Sequence, residues 1–517
     1  MKPQKRQLLL FAFLASGVVL RYLSFSYNNL PHGDINLDYA AAWSFKNTGR
    51  LMIPIVAPRP YPSDGSNFGY PLDQHAPLWP LIGGLGSMVF GDIFLTFKIF
   101  TLVAGILVIP VSYLAFKKPF GEGPAILASG IISFTYLLID YSGNGSLYIV
   151  HALLFLVFVL VSHKPERLTN AILLGILAGL AYLLNYQAVI VIGALVVLFG
   201  IRYKQIQQLR PLALALSASL SIAFLVISPW LIRNFQIFGS PFFSVNYGYF
   251  LSSLGIPSRS TLSNGTLVYE RIWSQFQIST GIRAVLVWIL RNGVYFIIRI
   301  LILAPVTSIL ALLTTIDLRR RRYFDEHSSA FWSVLLLLGF HVLLSCLWPV
   351  FKFRYFVPVM PLVAGLGSFG IFDLIRHRGV RTGIIGVCII SLFVVNSLTY
   401  VRVPSHTNYY DSNELFHWRT GEVEWQEQIR SLRLATQEMN LQRNDAVIGD
   451  IPVFYFTHAP IVRAVEIQDQ EIIQELIKKY DVRYVVDVIE RESFYGKFIP
   501  GEIIYRDQFH MVLEIKP

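Results

Sequence analysis

The sequence predicts an α-helical multi-pass membrane protein of about eleven spans, followed by a small soluble α/β domain. Three observations carry that prediction. Of 517 residues, 54% are hydrophobic and only 15% are charged, whereas soluble domains average about 25% charged. The apolar residues gather in runs approaching the ~20 residues needed to cross a bilayer. The charge is also divided along the chain. From Ser405 onward there are 12 basic and 19 acidic residues, and before it 31 basic and 13 acidic. Read over the whole chain, the formal charge of +11 suggests a nucleic-acid binder. A surplus confined to the hydrophobic part is a topology signal instead, and no nucleic-acid partner is expected. This composition excludes a soluble globular enzyme and a disordered chain. The two cysteines, Cys346 and Cys388, both sit in apolar runs, which argues against a disulfide framework or a cysteine-rich metal site.

Taken in order, Lys2, Lys5 and Arg6 precede an apolar run from Leu8 to Leu20. We read it as a retained first span, with Arg21, Tyr22, Phe25 and Tyr27 as an interfacial anchor and the N-terminus in the cytoplasm. Further spans are expected near 94–116, 123–140, 146–162, 168–184, 187–202, 211–231, 294–316, 328–348, 355–375 and 382–399. Charge tests the register. Lys117/Lys118, Lys164/Arg167, Arg202/Lys204/Arg210, Arg319 to Arg322 and Arg376/Arg378/Arg381 all fall in alternate turns, and the short turns around Gly143 and Asn185 carry no basic residue. The positive-inside tendency then places residues 405–517 outside. The run from Ala76 to Phe90 is too short to span, and a second helix from Leu37 to Thr48 carries Asp38 and Lys46 on a partly polar surface. Both are expected to lie flat in a long outer loop, roughly residues 27–93. A second outer stretch, about 232–283, reads as a Gly-, Ser-, Pro- and Tyr-rich loop. In the C-terminal region, 424–439 and 470–479 have helical periodicity, while 446–449, 484–488 and 511–515 read as strands.

Seven acidic residues of the membrane part face outward in this scheme: Asp34, Asp38, Asp64, Asp73, Asp92, Asp140 and Glu270. Asp34 follows the first span, where a carboxylate can take a proton from an acceptor hydroxyl or cap the next helix. Asp38, one turn on, reads as a solvated or supporting residue. His75, in Asp73-Gln74-His75-Ala76-Pro77-Leu78-Trp79-Pro80, is a ligand for a divalent metal ion or a phosphate, or a plain interfacial histidine. Asp140 opens a short outer turn and serves an ion, a sugar or a helix cap. Arg233, Lys352 and Arg354 are outward cations that clamp a phosphate or snorkel to lipid headgroups.

Together these strings resemble the GT-C superfamily of membrane glycosyltransferases, in the bacterial branch related to protein O-mannosyltransferases and aminoarabinose transferases of lipid A. The resemblance covers most of residues 1–400. It rests on Asp34 after the first span, on Ala76 to Pro80, on Pro229 to Asn234, and on Arg354-Tyr355 with Pro358 and Pro361. It implies two flat helices in the first outer loop, a divergent outer domain and a polyprenyl-phosphate-linked sugar donor. It implies a lipid, glycan or protein acceptor, with membrane lipids around the spans. On this likeness Asp34 matches the catalytic acidic position, with Asp38 as a possible second carboxylate, because Ile35 stands where many relatives have an acidic residue. Arg233, Lys352, Arg354 and Tyr355 would bind the phosphate, and His75 and Asp140 are the candidate metal contacts. There is no Trp-Trp-Asp string of the oligosaccharyltransferase kind. The expected organisation is a catalytic membrane domain over 1–404 and an extracytoplasmic domain over 405–517, in the plasma membrane. The alternative readings are a lipid or solute transporter or flippase, and a non-catalytic scaffold.

Overall fold

In a computed structural model of the chain the described residues are 3–27, 35–56, 70–72, 75–242, 244, 278–320, 329–347, 353–375, 377–400, 430–442, 445–449, 451–462, 474, 477–478, 480–488, 499 and 501–515. The helices in chain order are α1 (Pro3–Tyr27), α2 (Ile35–Thr48), α3 (Leu78–Phe90), α4 (Ile93–Phe120), α5 (Glu122–Phe134), α6 (Tyr136–Gly143), α7 (Tyr148–Val161) and α8 (Leu168–Leu184). They continue with α9 (Val189–Ile206), α10 (Leu209–Phe238), α11 (Ile278–Leu303), α12 (Pro305–Arg320), α13 (Ser329–Leu347), α14 (Met360–Leu374) and α15 (Arg378–Tyr400). Most of the outer stretch 232–283 and the expected domain boundary at 404/405 lie outside the described residues.

Local chemistry sets the ends of these helices. Asp92 caps α4 by accepting from the Leu95 N–H at 2.6 Å. Gly91 and Gly121, at φ +82° and +91°, close α3 and α4 in a conformation that a side chain would oppose. Where α8 meets α10, Gly175 and Gly179 let the backbones approach. A Cβ on Gly175 would collide with the Ser219 carbonyl oxygen, and the Ser219 hydroxyl donates to the Ala171 carbonyl at 2.7 Å. Large apolar side chains such as Leu214, Phe224, Leu225, Leu286 and Leu290 remain exposed along α10 and α11, a surface suited to lipid rather than water.

Among the described residues, five helices are long and apolar enough to cross a membrane, and α5 with α6, bent by 58°, forms a broken span or a re-entrant loop. The expected span at 123–140 is therefore broken at Thr135. That break would strand the carbonyls of Ile132 and Ser133, and Arg21 reaches them from α1 at 3.0 and 3.2 Å. Arg21 also donates to its own helix at Gly17 and is fully buried. This corrects the expectation of an interfacial anchor, because its guanidinium is spent on backbone oxygens inside the bundle. The expected span at 294–316 is likewise divided at Ala304, where Pro305 lacks the N–H that would continue the ladder.

The basic turns gather at one end. Arg6 pairs with Glu122. Burial, with a smaller effect from Lys118, pushes His163 down to about 4. Arg202 grips Glu166 through two bonds, at 2.9 and 3.1 Å. Arg381 donates to the carbonyls of Phe372 and Ile375, and the Phe372 ring covers Gly123. The first loop and the openings of α7 and α9 belong to the opposite end.

At that opposite end, short strands β1 (Met52–Ile53), β2 (Ile55–Val56) and β3 (Tyr70–Pro71) follow α2. The C-terminal region supplies β4 (Ala446–Ile448), β5 (Ile461–Val462), β6 (Val482–Val488), β7 (Gly501–Arg506) and β8 (His510–Ile515). A helix is described over 430–437, here α16, and α17 spans Ile451–Thr457. The six-stranded sheet has the order β2-β5-β4-β6-β8-β7, with β8 antiparallel to both neighbours and the other pairs parallel. Three strands fall where the sequence predicts them. β5, β7 and α17 were not predicted, and the expected helix at 470–479 is only partly described. β2 is unexpected in a different way, because the first outer loop contributes an edge strand to the C-terminal sheet. One core joins the two parts, holding Tyr39, Trp79, Phe97 and Trp230 together with Leu432, Met439 and Phe454.

Candidate active site

Helices α2 and α3 pack against each other at Gly84, where a Cβ would lie 2.8 Å from the Phe45 ring and 3.0 Å from the Ala42 carbonyl oxygen. The chain entering α3 is thereby held beside α2. That brings His75 to Asp38, with Nδ1 2.8 Å from Oδ1. The Asp38 side chain is 3% exposed and that of His75 15%. Asp38 is thus buried and paired, which rules out the solvated reading and leaves the supporting one. A carboxylate taken out of water needs such a partner.

The pair extends into a chain of bonds. The Tyr186 hydroxyl donates to the His75 carbonyl at 3.2 Å, and the Trp230 indole N–H donates to the Tyr186 oxygen at 2.9 Å. Arg233 lies over the Trp230 ring at 4.4 Å and donates to the Leu72 carbonyl and to Asn234 Oδ1, each at 2.8 Å. Arg233 therefore ties the first outer loop to the end of α10. Trp79, from the same string as His75, is core, stacked 5.0 Å from Phe97.

A second group forms where α7 begins. Arg354 lies in a 3-10 turn over Phe353–Phe356, with its guanidinium 5.9 Å from the Tyr148 ring and 5.4 Å from that of Tyr355. Tyr148 also meets Tyr141 and Tyr355 edge-on, at 6.0 and 5.9 Å. Arg354 is 9% exposed, a cation among aromatic faces where α7 begins. Asp140 belongs to α6 rather than to a turn, and its carbonyl accepts from the Ser24 hydroxyl at 3.2 Å. Asp34 and Lys352 lie outside the described residues. Among the described residues no three His, Cys, Asp or Glu side chains could hold a metal ion.

One cation escaped the sequence reading. Lys98, in the second turn of α4, is 6% exposed and lies 4.3 Å from the Phe25 ring and 5.8 Å from the Phe94 ring. Its signal was present, as a lysine inside a predicted span.

The C-terminal domain reaches the same helix that carries Asp38. Tyr39 packs 4.9 Å from Tyr455, Trp43 5.4 Å from Phe454, and the Trp43 ring stacks on His458 at 5.7 Å. The Tyr39 hydroxyl meets His458 Nε2 at 3.1 Å. Burial, reinforced by the Asp92 carboxylate, raises the Tyr39 phenol and pushes Tyr455 up to about 12. Both stay neutral at ordinary pH. Elsewhere in that domain Ser431, His510 and Asp507 come together, yet not as a catalytic triad. The Ser431 hydroxyl meets His510 Nδ1 at 2.6 Å, while Asp507 accepts from the Phe509 and His510 amides and from Tyr505. Ser431 and His510 are buried, so the cluster reads as a structural knot.

These features define a helical protein with several membrane-spanning helices and a polar site at the end of the bundle that carries the C-terminal sheet. Residues 74–233 match the dolichyl-phosphate-mannose-protein mannosyltransferase family. No curated protein matches the chain. Among solved structures, the fold is similar to ArnT from Cupriavidus metallidurans in the apo state, with a TM-score of 0.60 at 13% identity over 97% of both chains. The same protein bound to undecaprenyl phosphate matches with a TM-score of 0.59 at 12% identity over 97% of both chains. The archaeal oligosaccharyltransferase AglB from Archaeoglobus fulgidus, in complex with an inhibitory peptide and a dolichol-phosphate, matches at 0.62 and 12% identity, over 95% of this chain and 70% of that one. The family match covers less than a third of the chain, and the likeness to these solved structures is one of fold.

Proposed function

We propose that the protein moves a sugar from a polyprenyl-phosphate donor to an acceptor hydroxyl on the outer face of the plasma membrane, with inversion at the anomeric carbon. The observation that carries this reading is the buried Asp38–His75 pair, at the end of the bundle opposite the basic turns. In sequence Asp38 follows Asp34 by four residues. In this reading Asp34 takes the proton of the acceptor hydroxyl. The acceptor oxygen attacks the anomeric carbon, the bond from that carbon to the phosphate oxygen breaks, and the lipid phosphate departs with the bonding pair. Asp38 and His75 hold the acceptor side in place. Arg354 and Tyr355, with Lys352, meet the negative charge that develops on the phosphate. Arg233 fixes the loop over the donor and can add a further contact.

The orientation follows from the same argument. The basic turns face the cytoplasm with the N-terminus, and the outer loop and C-terminal domain face away. The shorter apolar helices complete about eleven spans within the bundle.

The test is sugar transfer in membranes from polyprenyl-phosphate-linked sugars, comparing the wild type with Asp34→Asn and Asp38→Asn. Loss of a positioned base lowers the rate by about 10²-fold or more. Full activity of Asp34→Asn removes it as the base. Flipping or uptake in liposomes without a transfer product replaces this reading with the transporter.

A further inference from the structure

Two histidines lie inside the membrane bundle directly behind the Arg354 turn. His151, on α7, and His341, on α13, are 1% and 2% exposed. Both pack against Phe155, with ring centroids 4.7 and 6.2 Å away. Burying an imidazole away from water is costly unless its nitrogens find partners. Among the described residues only one of these four nitrogens has one: His341 Nε2 lies 2.6 Å from the Tyr355 carbonyl oxygen.

The sequence explains why that carbonyl needs a donor from elsewhere. In a 3-10 turn each carbonyl accepts from the N–H three residues on. The Arg354 carbonyl accepts from Val357 at 3.2 Å, and the Phe356 carbonyl from Val359 at 3.0 Å. The residue three beyond Tyr355 is Pro358, which has no N–H. The Tyr355 carbonyl is orphaned by the turn's own sequence, within buried surroundings formed by Phe356, Val357 and Val359. His341 supplies the missing bond, which fixes Nε2 as its protonated nitrogen.

We infer that His341 is a positioning residue for phosphate recognition: its bond to the Tyr355 carbonyl holds the 3-10 turn that presents Arg354 to the anionic head of the lipid donor. The inference rests on the reading of Arg354 as a phosphate contact, and the experiment separates the two. His151 is the control. It occupies the same buried layer and touches the same phenylalanine, but it makes no bond to the turn.

Purified full-length protein in detergent is titrated with undecaprenyl phosphate, following tryptophan fluorescence, for Arg354→Met, His341→Phe, His341→Gln and His151→Phe. Thermal unfolding of each variant is recorded in parallel. Glutamine can place an amide N–H near the position of Nε2, and phenylalanine cannot. The expected result is affinity lowered about 30-fold or more by Arg354→Met and about tenfold by His341→Phe. His341→Gln and His151→Phe should stay within about threefold of the wild type. If His341→Phe does not fold, His341→Asn, whose shorter amide falls short of the carbonyl, replaces it against His341→Gln. Unchanged affinity in the His341 variants beside a weakened Arg354→Met overturns the positioning role. So does equal weakening by His341→Gln or by His151→Phe, which would mark a packing effect. Unchanged affinity in Arg354→Met overturns the phosphate assignment itself, and the inference with it.

Discussion

Arg21→Met tests how the bent span is held. The substitution keeps an unbranched apolar stem in a fully buried site and removes the guanidinium. In the wild type that group serves three carbonyls, Gly17 at 3.1 Å, Ile132 at 3.0 Å and Ser133 at 3.2 Å. Gly17 lies within a continuous helix, so its carbonyl already has an intrahelical partner. Ile132 and Ser133 do not, because the helix stops at Phe134 and resumes at Tyr136. A buried carbonyl left unsatisfied costs about 1–3 kcal/mol, so two of them cost about 2–6 kcal/mol. Removing a buried charge recovers part of that, which puts the expected loss near the lower end. The assay is thermal unfolding in detergent, followed by size-exclusion of the surviving fraction, with a drop on the order of 2 °C expected. Arg21→Lys, which keeps the charge but has no fork to span both carbonyls, should fall between the two. Wild-type stability in Arg21→Met would refute the argument, since it would mean that the α5–α6 break needs no external donor.

Other consequences can be measured separately. Gly175→Ala should destabilise the α8–α10 contact by about 1–3 kcal/mol, read as a lower unfolding temperature, because the new Cβ meets the backbone at Ser219. An unchanged value would show that the two helices can part without cost. His510 is pushed down from its ordinary 6.5 to about 4, chiefly by burial, with Asp507 opposing. The folded domain therefore binds its proton later than the unfolded chain does. Stability from this group is full above pH ~6.5 and falls by about 3 kcal/mol as the pH drops towards 4. Hydrogen exchange of β8 should accelerate over that window in the wild type, and much less in His510→Asn. Phe454→Ala removes a ring that is 1% exposed and packed on Trp43, at a cost of about 3–5 kcal/mol. Exchange should rise in residues 35–48 as well as in α17. A rise confined to the C-terminal domain would show that α2 keeps its place without it.

Much of the fold was legible because its signals are local. The length of an apolar run, the sign of the next turn and the period of a strand all depend on neighbours in sequence. Those signals located α2 and α3, the alternate basic turns, and β4, β6 and β8. The breaks were less legible. Pro305 announces the division between α11 and α12, but Thr135 does not announce the bend in α5–α6, which exists because a side chain 111 residues away can serve the exposed carbonyls.

The candidate site divides in the same way. Residue type and position alone singled out Asp34, Asp38, His75, Arg233 and Arg354 as outward groups able to move a proton or meet a phosphate. Only the tertiary structure decided that Asp38 is buried against His75, that Arg233 is engaged with Leu72 and Trp230, and that residues 55–56 complete a sheet begun beyond residue 445. The physical reason is that hydropathy reports where a segment sits relative to water. Hydrogen bonds and ion pairs inside the fold join groups far apart in the chain, and their partners are chosen only when the helices pack.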